Sequence, residues 1–212
     1  MRNRKVWEIG GFVAGGVLVV FGAVAILLGV NGYRTVHNEL GQEKIVGSSD
    51  MTPAAIKESA QAAGLDASVP LPTCDVAGKS IDSGAEARCF AQYMRVHALE
   101  RTGGLTYAQM DQYQSAKDPT SAAGTSDPAQ AAKDKNGQPI SNSKRDIWIN
   151  ENALATALNV SYMAQQLALF GMVVGVALLL TGIGLVILAF AVFGRNEAVE
   201  EAMARAPTPV TG

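Results

Sequence analysis

Two nearly unbroken apolar runs constrain this chain more than anything else in it. They are IGGFVAGGVLVVFGAVAILLGV, from Ile9 to Val30, and LALFGMVVGVALLLTGIGLVILAFAVFG, from Leu167 to Gly194. No charged residue falls between Ile9 and Tyr33, or between Asn152 and Gly194. Each run exceeds the ~20 apolar residues that a helix needs to cross a hydrocarbon core about 30 Å thick. A buried helix of a soluble domain is the alternative for any apolar run, but length and charged flanks favour membrane spans at 9–30 and 167–194. The hydrophobic fraction of 48% is ordinary for a soluble protein, so the uneven distribution carries the signal. With 17 basic against 19 acidic residues the chain lacks the concentrated basic surface of a nucleic-acid binder.

The first run has features of a secretory signal: a basic start (Arg2, Arg4, Lys5) and an Ala23-Val24-Ala25 resembling a cleavage site. However, the apolar stretch continues through Ile26, Leu27, Leu28 and Val30. A secretory apolar region is about 7–15 residues long and stops before cleavage, so an uncleaved signal anchor is expected. Orientation follows the basic residues near the membrane. Arg2, Arg4 and Lys5 precede the first span and Arg195 follows the second, which places both termini, residues 1–8 and 195–212, in the cytoplasm. Residues 31–166 then lie outside the cell membrane.

That compartment bears on Cys74 and Cys89, the only cysteines in the chain. Disulfides form and persist there. A structural zinc site wants four ligands, and only His37 and His97 could join the cysteines. The CxxC spacing of a redox pair is missing. A disulfide staple is the favoured reading, worth roughly 3 kcal/mol for a loop of this size in the chain-entropy model.

The outer segment reads as short helices with clear punctuation. MTPAAIKESAQAAG offers Thr52 as N-cap, Pro53 in the first turn and Gly64 past the end. SGAEARCFAQYMRVHALERTGG opens with Ser83 and Glu86 at capping-box spacing and stops at Gly103-Gly104. TYAQMDQY repeats the device with Thr106 and Gln109, which predicts a third short helix. Cys74 falls in the irregular loop between the first two, and Cys89 near the start of the second. The staple would pin that loop onto a helix.

Along the central helix Phe90, Tyr93, Met94 and His97 recur at spacings of three and four, forming an apolar stripe that needs a partner surface. Tyr93, His97 and Arg101 are the candidate ligand or partner contacts; a hydrogen-bonded histidine at the edge of a small core is the plainer reading. His37 is expected to be a solvated residue beside the membrane. Residues 115–145 contain Ile140 as their only large apolar side chain, so a flexible polar loop is expected. DKNGQ within it lacks the full acidic calcium-loop pattern and its terminal glutamate.

From Ile147 the pattern is helical again. Ile147, Leu154, Leu158 and Tyr162 share a stripe, with Glu151 in the gap between the first two. Nothing breaks the stretch before the second span. One helix from near Ile147 to Gly194 would run about 70 Å at 1.5 Å per residue, with residues 147–166 as a stalk. The expected fold is an all-α membrane protein: two antiparallel transmembrane helices, a small disulfide-stapled helical domain, and a long helix continuing into the second span. Gly11 and Gly15 form one GxxxG, Gly171 and Gly175 another, as candidate helix-packing positions. In antiparallel spans these lie at opposite faces, so each would meet other small residues or a second subunit. Neither span carries a charged or histidine side chain in its apolar core, as transporters and proton relays usually require.

The stretches SDMTPAAIK, YMRVHALERTGGLTYAQM, RDIWINENALATALNVSYMAQQLALFG and VVGVALLLTGIG together resemble a family of small actinobacterial two-span membrane proteins of unknown function. Its members often carry the name of an aromatic ring-opening dioxygenase subunit. The resemblance covers most of the chain outside the polar loop and tail, and implies the two-span topology with the outer segment as one unit. The reaction in that name needs iron held by two histidines and a carboxylate. His37 and His97 are the only histidines, and His37 sits far in sequence from any companion. No catalytic, cofactor or metal residue is therefore assigned. The reading is a non-enzymatic cell-envelope protein whose outer domain binds or scaffolds another membrane or envelope component, or a second copy of itself. The alternatives are an extracytoplasmic ligand sensor and the dioxygenase subunit.

Overall fold

A computed structural model of the chain describes residues 2–204, with side chains described for residues 9–191. Arg2, Arg4, Lys5 and Arg195, which carry the orientation argument, have side chains outside the described residues. Among the described residues there are four α-helices and no strand longer than an isolated bridge. The helices are α1 (Arg2–Gln42), α2 (Pro53–Ala62), α3 (Gly84–Arg101) and α4 (Ser143–Ala204). A 3-10 turn at Tyr107–Gln109 stands where a third short helix is predicted, because Met110 turns extended and buries its side chain.

Two helices are long and apolar enough to cross a membrane, Ile9–Gln42 and Ser143–Ala191. In each, only 17% of the most apolar window is buried, unlike the core helix of a soluble domain. The chain divides into two compact units, one of the residues up to Tyr33 and from Leu167 on, the other Arg34–Gln166.

In the first unit the two helices meet along a seam of small residues. A Cβ added at Gly15 would stand 2.8 Å from the Gly182 carbonyl oxygen, and one at Gly22 2.7 Å from that of Gly175. One at Gly29 would stand 2.7 Å from the Ala168 carbonyl oxygen. Contact residues ascend along α1 as they descend along α4. Such backbone-to-backbone approach leaves no room for a side chain and is how small residues promote close helix packing. Gly175 thus meets Gly22, and Gly15 meets Gly182. Gly11 faces the Ala189 methyl, and Gly171 only approaches the Ala25 carbonyl, at 3.9 Å. Val186, Met172 and Ile26 pack against the seam glycines, whereas Leu27 and Leu167 point away from the seam, 69% and 70% exposed.

The second unit has its own core. Thr52 accepts from the Ala55 amide to cap α2, and Ser83 and Glu86 form the full capping box of α3. Gly64, Gly103 and Gly104 take positive φ after the helices they end. α1 continues past the apolar run to Gln42, because nothing between Asn31 and Gln42 forces it to stop, and Leu40 becomes a core residue. Ile56, Ile81, Tyr93, Val96 and Thr102 are the largest fully buried side chains. The 65–82 loop is fixed by the Cys74–Cys89 disulfide, whose Cα atoms stand 6.1 Å apart. It also pairs with the 45–47 segment, where Ile81 N donates to the Ile45 carbonyl and Gly47 N to that of Lys79. Gly47 must be glycine, since a Cβ there would overlap the Val76 carbonyl.

Residues 115–145, expected to form a flexible polar loop, carry a dense set of backbone hydrogen bonds in place of an apolar core. Tyr113 bridges to Thr125 and Ser141, Ser115 to Ala131, and Lys133 to Pro139. Asp118, Asp127 and Asp134 each accept from amides two to four residues ahead, and the Asn142 side chain donates to the carbonyls of Asp111 and Ala122. Short polar side chains that bond their own backbone supply order that a count of apolar residues does not register.

Candidate functional site

The stripe on α3 divides between two surroundings. Tyr93 is fully buried, and its hydroxyl donates to the Cys74 carbonyl at 2.6 Å, joining the helix to the stapled loop. Burial, with the negative charge of Asp75 adding, pushes the Tyr93 phenol above its usual pKa and keeps it a donor. His97 is half-buried between carboxylates: Nδ1 lies 2.9 Å from Glu100 Oε2 and Nε2 3.5 Å from Asp50 Oδ2. Glu100 is itself held by the Ser59 hydroxyl at 2.7 Å. The two acids face opposite ring nitrogens and so share no common point. Arg101 is exposed in the last turn of α3. His37 lies 2.9 Å from the Asp82 carbonyl oxygen through Nδ1. Among the described residues no group of three or more His, Cys, Asp or Glu side chains is placed to hold a metal ion.

Phe90 and Met94, from the same stripe, do not enter the core. They line a groove of about 670 Å³ with Leu40 and Ile45 on one side and Leu154 and Leu158 of α4 on the other. Leu158 is buried against the core, whereas Leu154 stands 56% exposed. Glu39 and Glu43 also line the groove, so an apolar trough carries negative charge.

A second recess, of about 240 Å³, is polar. Its walls are the Pro70-Leu71-Pro72 loop, Ala91, Gln92 and Arg95 of α3, and Glu151, Ala155 and Asn159 of α4. The Arg95 guanidinium lies over the Trp148 ring, 4.5 Å from its centroid, and Nη2 donates to Asn152 Oδ1 at 3.0 Å. Its Nε comes within 3.1 Å of Glu151 Oε1. The Glu151 side chain is only 4% exposed. Burial pushes its carboxyl above the usual carboxylate range, and the charge of Arg95 opposes without cancelling that rise. Arg95 and Glu151 were not singled out from sequence as site residues. The available signal was a charged residue in the gap of the stalk's apolar stripe, which is where Glu151 stands.

Of the candidate contacts, Tyr93 serves the core and the staple, His97 an acid–histidine cluster, and Arg101 the surface. Comparison with protein-family models, curated proteins and solved structures returned no match.

Proposed function

We propose that the chain is a non-enzymatic integral membrane protein of the bacterial cell envelope, of the actinobacterial two-span kind that its sequence resembles. Two antiparallel transmembrane helices anchor it with both termini in the cytoplasm. Residues 31–166 lie outside and bind or scaffold another membrane or envelope component. The observation that carries this reading is the apolar groove left uncovered on the stapled unit. An unfilled trough lined by Phe90, Met94, Ile45 and Leu154 is the kind of surface that marks a protein contact. Glu39 and Glu43 select the partner: a helix or loop presenting an apolar face flanked by basic side chains. The outward apolar faces of α1 and α4 support the anchor, since Phe21, Leu28, Phe170 and Ile187 are all exposed.

The test is affinity capture from gently solubilised membranes, run in parallel on the wild-type chain and on Leu154→Glu. Leu154 is exposed enough for the change to leave the core intact. A stoichiometric partner retained by wild type and lost by the variant supports the reading. A clean monomer in both, or a partner indifferent to Leu154→Glu, overturns it.

A further inference from the structure

Between Trp148 and Gln165, α4 is covered on one face only. There it buries Trp148, Glu151, Ala155, Leu158 and Gln165 against the rest of the Arg34–Gln166 unit. The opposite face carries Ile149, Ala153, Thr156, Val160 and Met163, all of them exposed. Ile149 is 48%, Val160 58% and Met163 68% open, so the large apolar side chains of this ridge lack cover within the chain. A helix apolar on two opposite faces is built to be buried on both. Its own unit covers the first, and the second awaits a partner.

Spacing and charge identify that partner. The five ridge positions follow one another at intervals of four, three, four and three. That is the repeat of a coiled-coil seam, with Ala153 and Val160 at a and Ile149, Thr156 and Met163 at d. In a parallel pair of identical helices each residue meets its own copy, so any charge on the seam or its flanks would meet the same charge. From Ile149 to Gln166 the only charged side chain is Glu151, and it is buried on the inner face. The flanks are Asn150, Ala157 and Ala164 on one side and Asn152, Asn159 and Gln166 on the other, all neutral. Amides both donate and accept, so they suit a meeting with their own kind. The groove with its Glu39 and Glu43, in contrast, calls for a partner of opposite charge. The polar groups of the ridge are also ready to be dried. Thr156 Oγ1 donates to the Asn152 carbonyl at 2.6 Å, and Asn159 Nδ2 to that of Ala155 at 2.8 Å, so burial leaves neither of these donors unmet.

We infer that the exposed ridge of α4 is a homodimer seam, on which a second copy of this chain packs its own α4 in parallel. Val160, β-branched at an a position, suits two strands. Two heptads are short for a free coiled coil. Anchorage of both copies in one bilayer, as proposed above, aligns the helices in one direction and supplies the local concentration. The parallel orientation rests on that membrane reading. The seam does not rest on the groove, whose Leu154 and Leu158 lie off the ridge.

The experiment is oxidative crosslinking of the full chain in membranes, with single cysteines placed along α4. Both native cysteines are bonded to each other, so only the introduced thiol can link two copies. Thr156→Cys, Val160→Cys and Met163→Cys should give a disulfide-linked homodimer, and Leu154→Cys, exposed but off the ridge, should give little. Adding Val160→Lys to Thr156→Cys sets two like charges against each other and should slow crosslinking about tenfold or more. Val160 is exposed, so that change leaves the core intact. No homodimer from any ridge position overturns the proposal. So does linking at Leu154→Cys as strong as at Val160→Cys, linking to a different protein in place of the homodimer, or crosslinking indifferent to Val160→Lys. Leu154→Glu should leave the homodimer unchanged, and Val160→Lys should leave capture through the groove unchanged, so the two readings fail separately.

Discussion

Two buried side chains in the Arg34–Gln166 unit carry opposite lessons about polar groups. Tyr93 is satisfied: its hydroxyl reaches the Cys74 carbonyl. Tyr93→Phe keeps the ring and removes the donor, and chemical denaturation should show a loss of about 1 kcal/mol. No change would mean that the tie to the loop is incidental. Glu151 is not satisfied, and its pKa is raised chiefly by burial. A folded value above the unfolded one means the proton is held more tightly in the native state. The contribution is therefore fully present below the unfolded pKa of about 4.3 and is lost as pH rises through the higher folded value. Wild type should gain stability relative to Glu151→Gln as pH falls from neutral to about 4, because only wild type can take up that proton. A pH-independent difference between the two in thermal unfolding would show that Glu151 titrates normally.

At the scale of elements, the helix ends were legible because their determinants are local. Thr52, Ser83 and Glu86 lie within four residues of the amides they serve, Pro53 opens the first turn of α2 where no amide is needed, and the structure uses all of them. The Cys74–Cys89 pair was legible because the chain has no other cysteine. Long-range placement was not. The stripe of Phe90, Tyr93, Met94 and His97 spans an arc wide enough to divide, Tyr93 to the core and Phe90 with Met94 to the groove. Which residue goes where depends on Leu40, Ile45 and Leu154, from elements far along the sequence. The recess is hidden for the same reason, since its walls come from three separate segments. In the apolar helices the sequence showed glycines but not their partners. The seam makes a sharp prediction: the position for a Cβ at Gly11 is 3.5 Å from that of Ala189, within the range that a disulfide bridges. Gly11→Cys with Ala189→Cys should crosslink on oxidation in membranes. Adding Gly22→Leu, whose side chain would collide with the Gly175 carbonyl, should abolish the crosslink. Failure of the double variant to crosslink sinks the antiparallel pairing of the spans.

For the whole molecule, the proposed function depends on which side of a membrane each part would occupy. In the topology proposed above, two spans put both termini on one face, and the basic residues at Arg2, Arg4 and Lys5 are the argument for the cytoplasm. The disulfide fits that proposal, because bridges of this kind persist in oxidising compartments. It also provides a clean background for labelling: with both native cysteines bonded, any introduced cysteine is the only free thiol in the described residues. Treated as intact cells with a membrane-impermeant maleimide, wild type should stay unlabelled until an impermeant reductant is added. Reduction should then expose Cys74, the more accessible of the pair, and lower stability by roughly 3 kcal/mol through the opened loop. Lys57→Cys, on the exposed side of α2, should label at once. Asn3→Cys and Thr211→Cys should label only after permeabilisation. Labelling of Asn3→Cys in intact cells would invert the topology and place the staple in the reducing cytoplasm, where neither it nor an envelope partner could be maintained.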